Sequence, residues 1–352
     1  MKTINLILPL AIVVAAFTSC EKSNNPSQDT GYSKGIYIIN EGTFNTSNGS
    51  ISFFDPSEEL IVNGIFEAAN NRPLGDVVQS FSVVQDSLGC IVVNNSFKLE
   101  FVSLKTFKTT VEPIQVTYPR YFIQVDDSKG YLSTGQYQGY IQIIDLNSFS
   151  KTDSIKVGFG PETMLLLSDK VYVANSGGWG SDSTISVIDP VTDEVIDTIR
   201  VGKVPVDMAV DFEDNIWVYC KGYTNYAEIE TDAMIQKINP LTNEIIWETK
   251  VGRALDYSAT PAKCASSADG SSLYYLRPDG VYEISAMQPG LSETPLITGN
   301  FYGLEVNPED GNIYVFESSF TGTGKMKIYD QSGNFLVEGV VGIGPSGAVF
   351  NL

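Results

Sequence analysis

Histidine does not occur among the 352 residues of this sequence. Its absence excludes a Ser-His-Asp triad, a histidine-ligated zinc and a c-type haem attachment site. Cysteine is nearly as scarce: Cys20, Cys90, Cys220 and Cys264 are the full set, and no CxxC spacing occurs among them. Cys90 and Cys220 fall in strand-like runs (GCIVV, IWVYC), so buried free thiols are expected, with a Cys220–Cys264 bridge as the alternative. Positive charge is short as well. Lys and Arg number 22 against 42 Asp and Glu, a formal charge of −20, and a nucleic-acid phosphate backbone, which is held by Lys and Arg, is repelled. After the opening segment no run reaches the ~18 apolar residues that a membrane-spanning helix needs.

The opening segment itself is informative. Lys2 is followed by the apolar run from Leu6 to Phe17 and then by Thr18-Ser19-Cys20. A charged start, a short apolar run and small residues ahead of a cysteine read as a secretory signal of the lipoprotein kind. Cleavage is expected before Cys20, with acylation of its sulfur and amine; an ordinary signal peptide is the alternative. On this reading residues 1–19 are a leader and residues 20–34, polar and poor in large apolar side chains, are a lipidated cysteine with a flexible tether.

The rest of the chain repeats. From Lys170 to Val210 short runs rich in Val and Ile, such as VYVAN and TISVID, are separated by Gly, Asp-Pro and Thr-Asp, the pattern of antiparallel strands joined by turns. Segments like VYVAN recur at Ile36, Cys90, Tyr131, Ile216, Leu273 and Ile313, which with Val171 makes seven, roughly 40 to 57 residues apart. This is the period of a four-stranded propeller blade. The predicted fold is all-β: one seven-bladed β-propeller over residues 35–352, with at most one short helical turn at Ile65 to Asn70. The first unit begins at its second strand, and GPSGAVFNL near the end resembles the VPVDMAV that opens the fifth unit. The C-terminal strand is therefore expected to complete blade one and remove an open edge.

Strand alternation also sorts the loops. With strands A to D in each blade, B–C loops and D–A links share one face, and A–B and C–D turns share the other. The first face then receives Phe44, Phe97, Tyr118, Tyr121, Tyr137, Trp179, Tyr223, Tyr226, Tyr302 and Phe320, with the amides of Asn45, Asn94, Asn95, Gln136, Gln138, Asn175 and Asn225. Aromatic platforms beside groups that both donate and accept hydrogen bonds suit a large, flat, uncharged ligand, or a sugar ring. Arg72 and Arg120 fall on the same face, either to hold a phosphate or to pair with Asp76 and Glu162. Asn94 and Asn175 either meet a ligand or satisfy local backbone.

Two resemblances add to this. VYVAN, ISVIDPVT and TIRVG..P resemble the YVTN repeat of YncE-like propellers. The elements GIYIINEG, RPLGDVVQS, IVVNNSFKLEFV, YPRY and DNIWVYCKG resemble the lipid-anchored propellers of Gram-negative gut anaerobes, among them the BtuG-type surface lipoproteins that bind cobalamin. That resemblance implies a cell-surface lipoprotein of the outer membrane. It would capture cobalamin (vitamin B12) or a related corrinoid as ligand rather than cofactor, and deliver it to a TonB-dependent, BtuB-like transporter. The candidate ligand-binding residues on the face sorted above are Phe44, Arg72, Asn94, Asn95, Phe97, Arg120, Tyr121, Tyr137, Asn175, Trp179, Tyr223, Tyr226, Tyr302 and Phe320. Without histidine the protein has no imidazole to replace an axial cobalt ligand, so recognition of the corrin periphery is expected. A glycan-binding surface propeller and a calcium-dependent lactonase-like enzyme are the other classes. The sequence shows no compact carboxylate cluster for the latter, and no enzymatic activity is expected.

Overall fold

The computed structural model describes residues 31–135, 138–224, 229–255 and 261–352. Cys20 with its leader, Gln136, Tyr137, Asn225 and Tyr226 lie outside the described residues. The described chain forms seven four-stranded antiparallel sheets arranged as blades around one axis, the expected seven-bladed propeller. The seven innermost strands are Pro345–Asn351, Val78–Val84, Pro119–Gln124, Pro161–Leu167, Pro205–Val210, Cys264–Ser266 and Gly303–Val306. Each touches the next, and the last touches the first.

Closure follows the sequence expectation. Pro345–Asn351 pairs antiparallel with Gly35–Asn40, placing Gly35 opposite Asn351 and Ile38 opposite Ala348. The short helix also forms, at Ile65–Asn70, and buries Ile65 and Phe66.

The core is divided into seven apolar clusters, each shared by two adjacent blades. Tyr37, Ile39 and Phe53 of blade one, for example, pack with Phe81, Ile91 and Val102 of blade two. This explains the composition of the repeat. A second strand such as Lys170–Asn175 is covered on both faces by neighbouring blades and is buried from Val171 onward. The fourth strand Glu194–Arg200 buries little besides Ile199. Cys90, Cys220 and Cys264 are buried free thiols; the alternative Cys220–Cys264 bridge is absent.

A recurring device begins the inner strands. Val77, Tyr118, Gly160, Val204 and Gly344 all have φ between 50° and 63°. Each accepts a hydrogen bond on its carbonyl from the chain leaving the second strand: Asn94, Gly135, Ser176, Lys221 and Glu41 donate, at 2.8 to 3.3 Å. In all five blades the strand register then shifts by a bulge. A bulge leaves a residue unpaired and re-aims its side chain. Here it turns the opening residues of the inner strands toward the axis.

Candidate functional site

The hydrogen bonds just described join D–A links to B–C loops, so the loops assigned to one face by alternation do meet there. Further contacts agree. Gly49 donates to the Gly75 carbonyl, Asn45 N donates to Asp76 Oδ2 at 2.9 Å, and Asn95 Nδ2 donates to Asn45 Oδ1 at 3.1 Å. Thr43 Oγ1 donates to the Phe320 carbonyl at 2.6 Å, linking the loops of blades one and seven. The opposite face receives the turns at Asp86, Asp193 and Asn243, each held by a left-handed residue.

The rim of the first face is aromatic. Phe44 is 66% exposed and Trp179 58%, and Phe97 and Phe320 are also exposed. Phe97 meets Tyr118 edge-on at 5.3 Å, and Phe320 meets Tyr302 in the same way at 5.2 Å. Tyr223 is half-buried, its backbone N–H given to Thr231 Oγ1. Phe159, 54% exposed in the link between blades three and four, belongs to the same rim. Sequence reasoning missed it, although it lay inside a link already assigned to this face. The loop around Trp179 is glycine-rich for a steric reason: at Gly177, where φ is 93°, a Cβ would lie 2.3 Å from the Ser181 carbonyl carbon.

Several polar candidates are committed to the framework. Asn175 is 0% exposed, and its Nδ2 donates to Thr184 Oγ1 and Ser186 Oγ. Asn40 does the equivalent in blade one, donating to Ser52 Oγ. Asn94 Nδ2 ties its loop to the Pro119 carbonyl at 2.8 Å. Arg72 does not pair with Asp76. It reaches the third strand of blade two, where its guanidinium lies 2.5 Å from Glu100 Oε1 and stacks over Phe66 at 4.8 Å. Arg120 does pair with Glu162: Nε and one terminal nitrogen donate to Glu162 Oε2 at 3.0 and 2.8 Å. Neither arginine is without a carboxylate, so a phosphate would have to displace one.

At the axis the structure joins Arg120, Tyr121 and Tyr302, already named from the sequence, to Gln79, Asp207, Lys263 and Glu305, which were not. The bulged openings and the short inner strands of blades six and seven gather Gln79, Arg120, Tyr121, Glu162, Asp207, Lys263 and Glu305 into one half-buried cluster, with Glu41 and Tyr302 at its edge. Gln79 Nε2 donates to the Tyr121 hydroxyl at 3.3 Å, and the Tyr302 hydroxyl donates to Glu41 at the same distance. Asp207 Oδ2 accepts from the Cys264 amide at 3.1 Å. Burial raises the carboxyls of Glu41, Asp207 and Glu305, the last to about 8. Burial opposes charge on Lys263, but Tyr121, Asp207 and Glu305 outweigh it and hold the ammonium firmly protonated. The signal was present in the sequence as charged residues in the first positions of otherwise apolar strands: PRY, PET, PVD, AKC and GLE. Among the described residues no group of three or more Asp, Glu or Cys side chains is placed to hold a metal ion, and no helix is long and apolar enough to cross a membrane.

Among solved structures the chain is similar to a quinonprotein alcohol dehydrogenase-like protein from Bacteroides thetaiotaomicron, with a TM-score of 0.65 at 16% identity over 91% of this chain and 79% of that one. A functionally unknown protein from Desulfotomaculum acetoxidans gives 0.65 at 14% identity, over 90% and 98% of the two chains. The periplasmic gluconolactonase of Pseudomonas aeruginosa gives 0.62 at 12%, over 90% and 99%. At such identities the likeness is one of fold. No curated protein matches the sequence. Residues 34–337 match the model of DUF5074, a domain of unknown function, and the chain therefore belongs to the DUF5074 family.

Proposed function

We propose that this protein is a binding propeller rather than an enzyme. In this reading it is anchored by lipid on Cys20 at the cell surface, captures cobalamin or a related corrinoid on its B–C face, and passes it to a TonB-dependent outer-membrane transporter. The observation that carries the reading is the set of exposed aromatic side chains (Phe44, Phe97, Phe159, Trp179 and Phe320) on one face, beside the polar axial cluster. Flat apolar platforms bury the faces and edges of a macrocycle, while the interior groups meet its amides. The resemblance to BtuG-type lipoproteins supports the same ligand. Arg72 and Arg120 drop out as phosphate clamps, because each already holds a carboxylate. Asn45 and Asn95 stay at the rim beside Phe44.

Isothermal calorimetry with cyanocobalamin and with a panel of glycans tests the proposal. Corrinoid binding is expected, and Trp179→Ala should weaken it by about tenfold or more, as loss of an aromatic anchor does. The visible spectrum of bound cobalamin should superimpose on that of the free vitamin, since the sequence offers no imidazole. Binding of glycans in place of corrinoids, or a spectrum of displaced base, would refute it.

A further inference from the structure

Two groups in the axial cluster stand out for what they lack. Every other cation named in the cluster or on the rim touches a carboxylate: Arg120 holds Glu162, and Arg72 holds Glu100. Lys263 forms no ion pair among the described residues. Its ammonium lies over the face of Tyr121, 5.7 Å from the ring centroid. Glu305 is its counterpart. The field of Lys263 reaches it, but no hydrogen bond to its carboxyl is formed among the described residues. Glu305 Oε1 lies over Gly347 of the neighbouring inner strand, where a Cβ would come within 3.0 Å. The fold thus makes room for this carboxyl at the axis and leaves it without a donor, on the inner strand that touches the one following Lys263.

We propose that Lys263 and Glu305 together form a subsite for an uncharged group that accepts and donates at once, a primary carboxamide on an arm of the ligand. Its carbonyl oxygen accepts from Lys263 Nζ, and its NH2 donates to Glu305, with Asp207 and the Tyr121 hydroxyl beside them. The identity of the whole ligand rests on the function proposed above; the chemistry of the subsite does not.

Charge selects against the alternatives. The cluster holds four carboxyls, Glu41, Glu162, Asp207 and Glu305, against two cations, Arg120 and Lys263. With Glu305, pushed up to about 8, keeping its proton near pH 7, three carboxyls face the two cations. A ligand carboxylate would meet the remaining anions, and a ligand ammonium would meet Lys263 and Arg120. A carboxamide adds no charge and offers each of these half-buried groups the hydrogen-bond partner it lacks. A sugar hydroxyl has the same donor and acceptor character, and the experiment separates the two sources.

Crystals of the protein soaked at pH 7 in propionamide, propionate, propylammonium or glycerol test the subsite directly. Propionamide bridging Lys263 and Glu305 is expected. Propionate or propylammonium in its place, glycerol alone, or no bound molecule at these two residues in all four would overturn the proposal. In solution, cyanocobalamin is compared with its monocarboxylic acids, in which one side-chain amide is hydrolysed. One of these acids should bind about ten- to a hundredfold more weakly, and Lys263→Met, checked to melt cooperatively, should weaken the parent vitamin by a similar factor. If the wild type binds cyanocobalamin while Lys263→Met and every acid bind within threefold of it, the subsite is refuted and the binding function stands. If the wild type binds no corrinoid, the function fails, and the propionamide result alone decides the subsite.

Discussion

Replacing Arg72 by methionine separates a structural role from a ligand-binding one. Glu100 is 0% exposed and is held by Arg72 at 2.5 Å, by the Thr109 hydroxyl at 2.7 Å and by Lys98 at 2.9 Å. Burial alone would raise the Glu100 carboxyl; the hydrogen bonds from Arg72, Thr109 and Lys98 outweigh it and hold the group below the usual carboxylate range. Losing a charge-assisted bond to a buried carboxylate costs roughly 1.5–3 kcal/mol. The Arg72 side chain is itself 38% exposed and two other donors remain, so the lower end applies, about 1.5 kcal/mol. A propeller of this length unfolds with an entropy near ~2.1 cal/mol/K per residue, so the melting temperature should fall by about 2 °C at pH 7. The sign with pH follows from linkage. A depressed carboxylate contributes stability above its unfolded value of about 4.3, and that contribution is lost as pH falls through the folded value. The deficit of Arg72→Met should therefore be complete at neutral pH and close below about pH 4. Scanning calorimetry over this range measures it, with corrinoid titration in parallel. An unchanged melting temperature with lost ligand affinity would mean that Arg72 serves the ligand after all.

Two further outcomes are expected. Glu305 titrates at about 8, above its ordinary value, so the folded state keeps a proton that the unfolded chain gives up. Wild-type stability should decline as pH rises from about 5 through 8, and Glu305→Gln should flatten that decline, its melting-temperature advantage greatest at pH 9; a parallel pH profile for the two proteins refutes the assignment. Val77 is a β-branched residue at φ 54°, and Val77→Asn, which tolerates this conformation, should raise the urea midpoint by an amount equivalent to about 1 kcal/mol, whereas a lowered midpoint would show that Val77 packing outweighs the backbone term.

The fold was legible because a propeller writes itself repeatedly. The second strands anchored on Ile36, Cys90, Tyr131, Val171, Ile216, Leu273 and Ile313 are all strands, and all occupy the same place in their blades. The missing first strand of blade one pointed to closure by Pro345–Asn351. Loop faces followed from alternation, which survives any error of a residue or two in strand ends. Individual contacts were less legible. Nothing in the spacing of Arg72 indicates that Glu100, 28 residues on, will face it across a strand. Asn175 reads like a surface amide until its strand is seen to be covered on both sides. The loop assignment brought Arg120, Tyr121 and Tyr302 to this end, but Lys263 and Glu305 sit in or beside inner strands where the sequence does not distinguish an axial position from a blade face.

The pairing of Gly35–Asn40 with Pro345–Asn351 also constrains how the molecule is made. Blade one cannot be completed until the last strand, about three hundred residues further on, has joined it. Until then the sheet of blade one keeps an unpaired edge open to another chain.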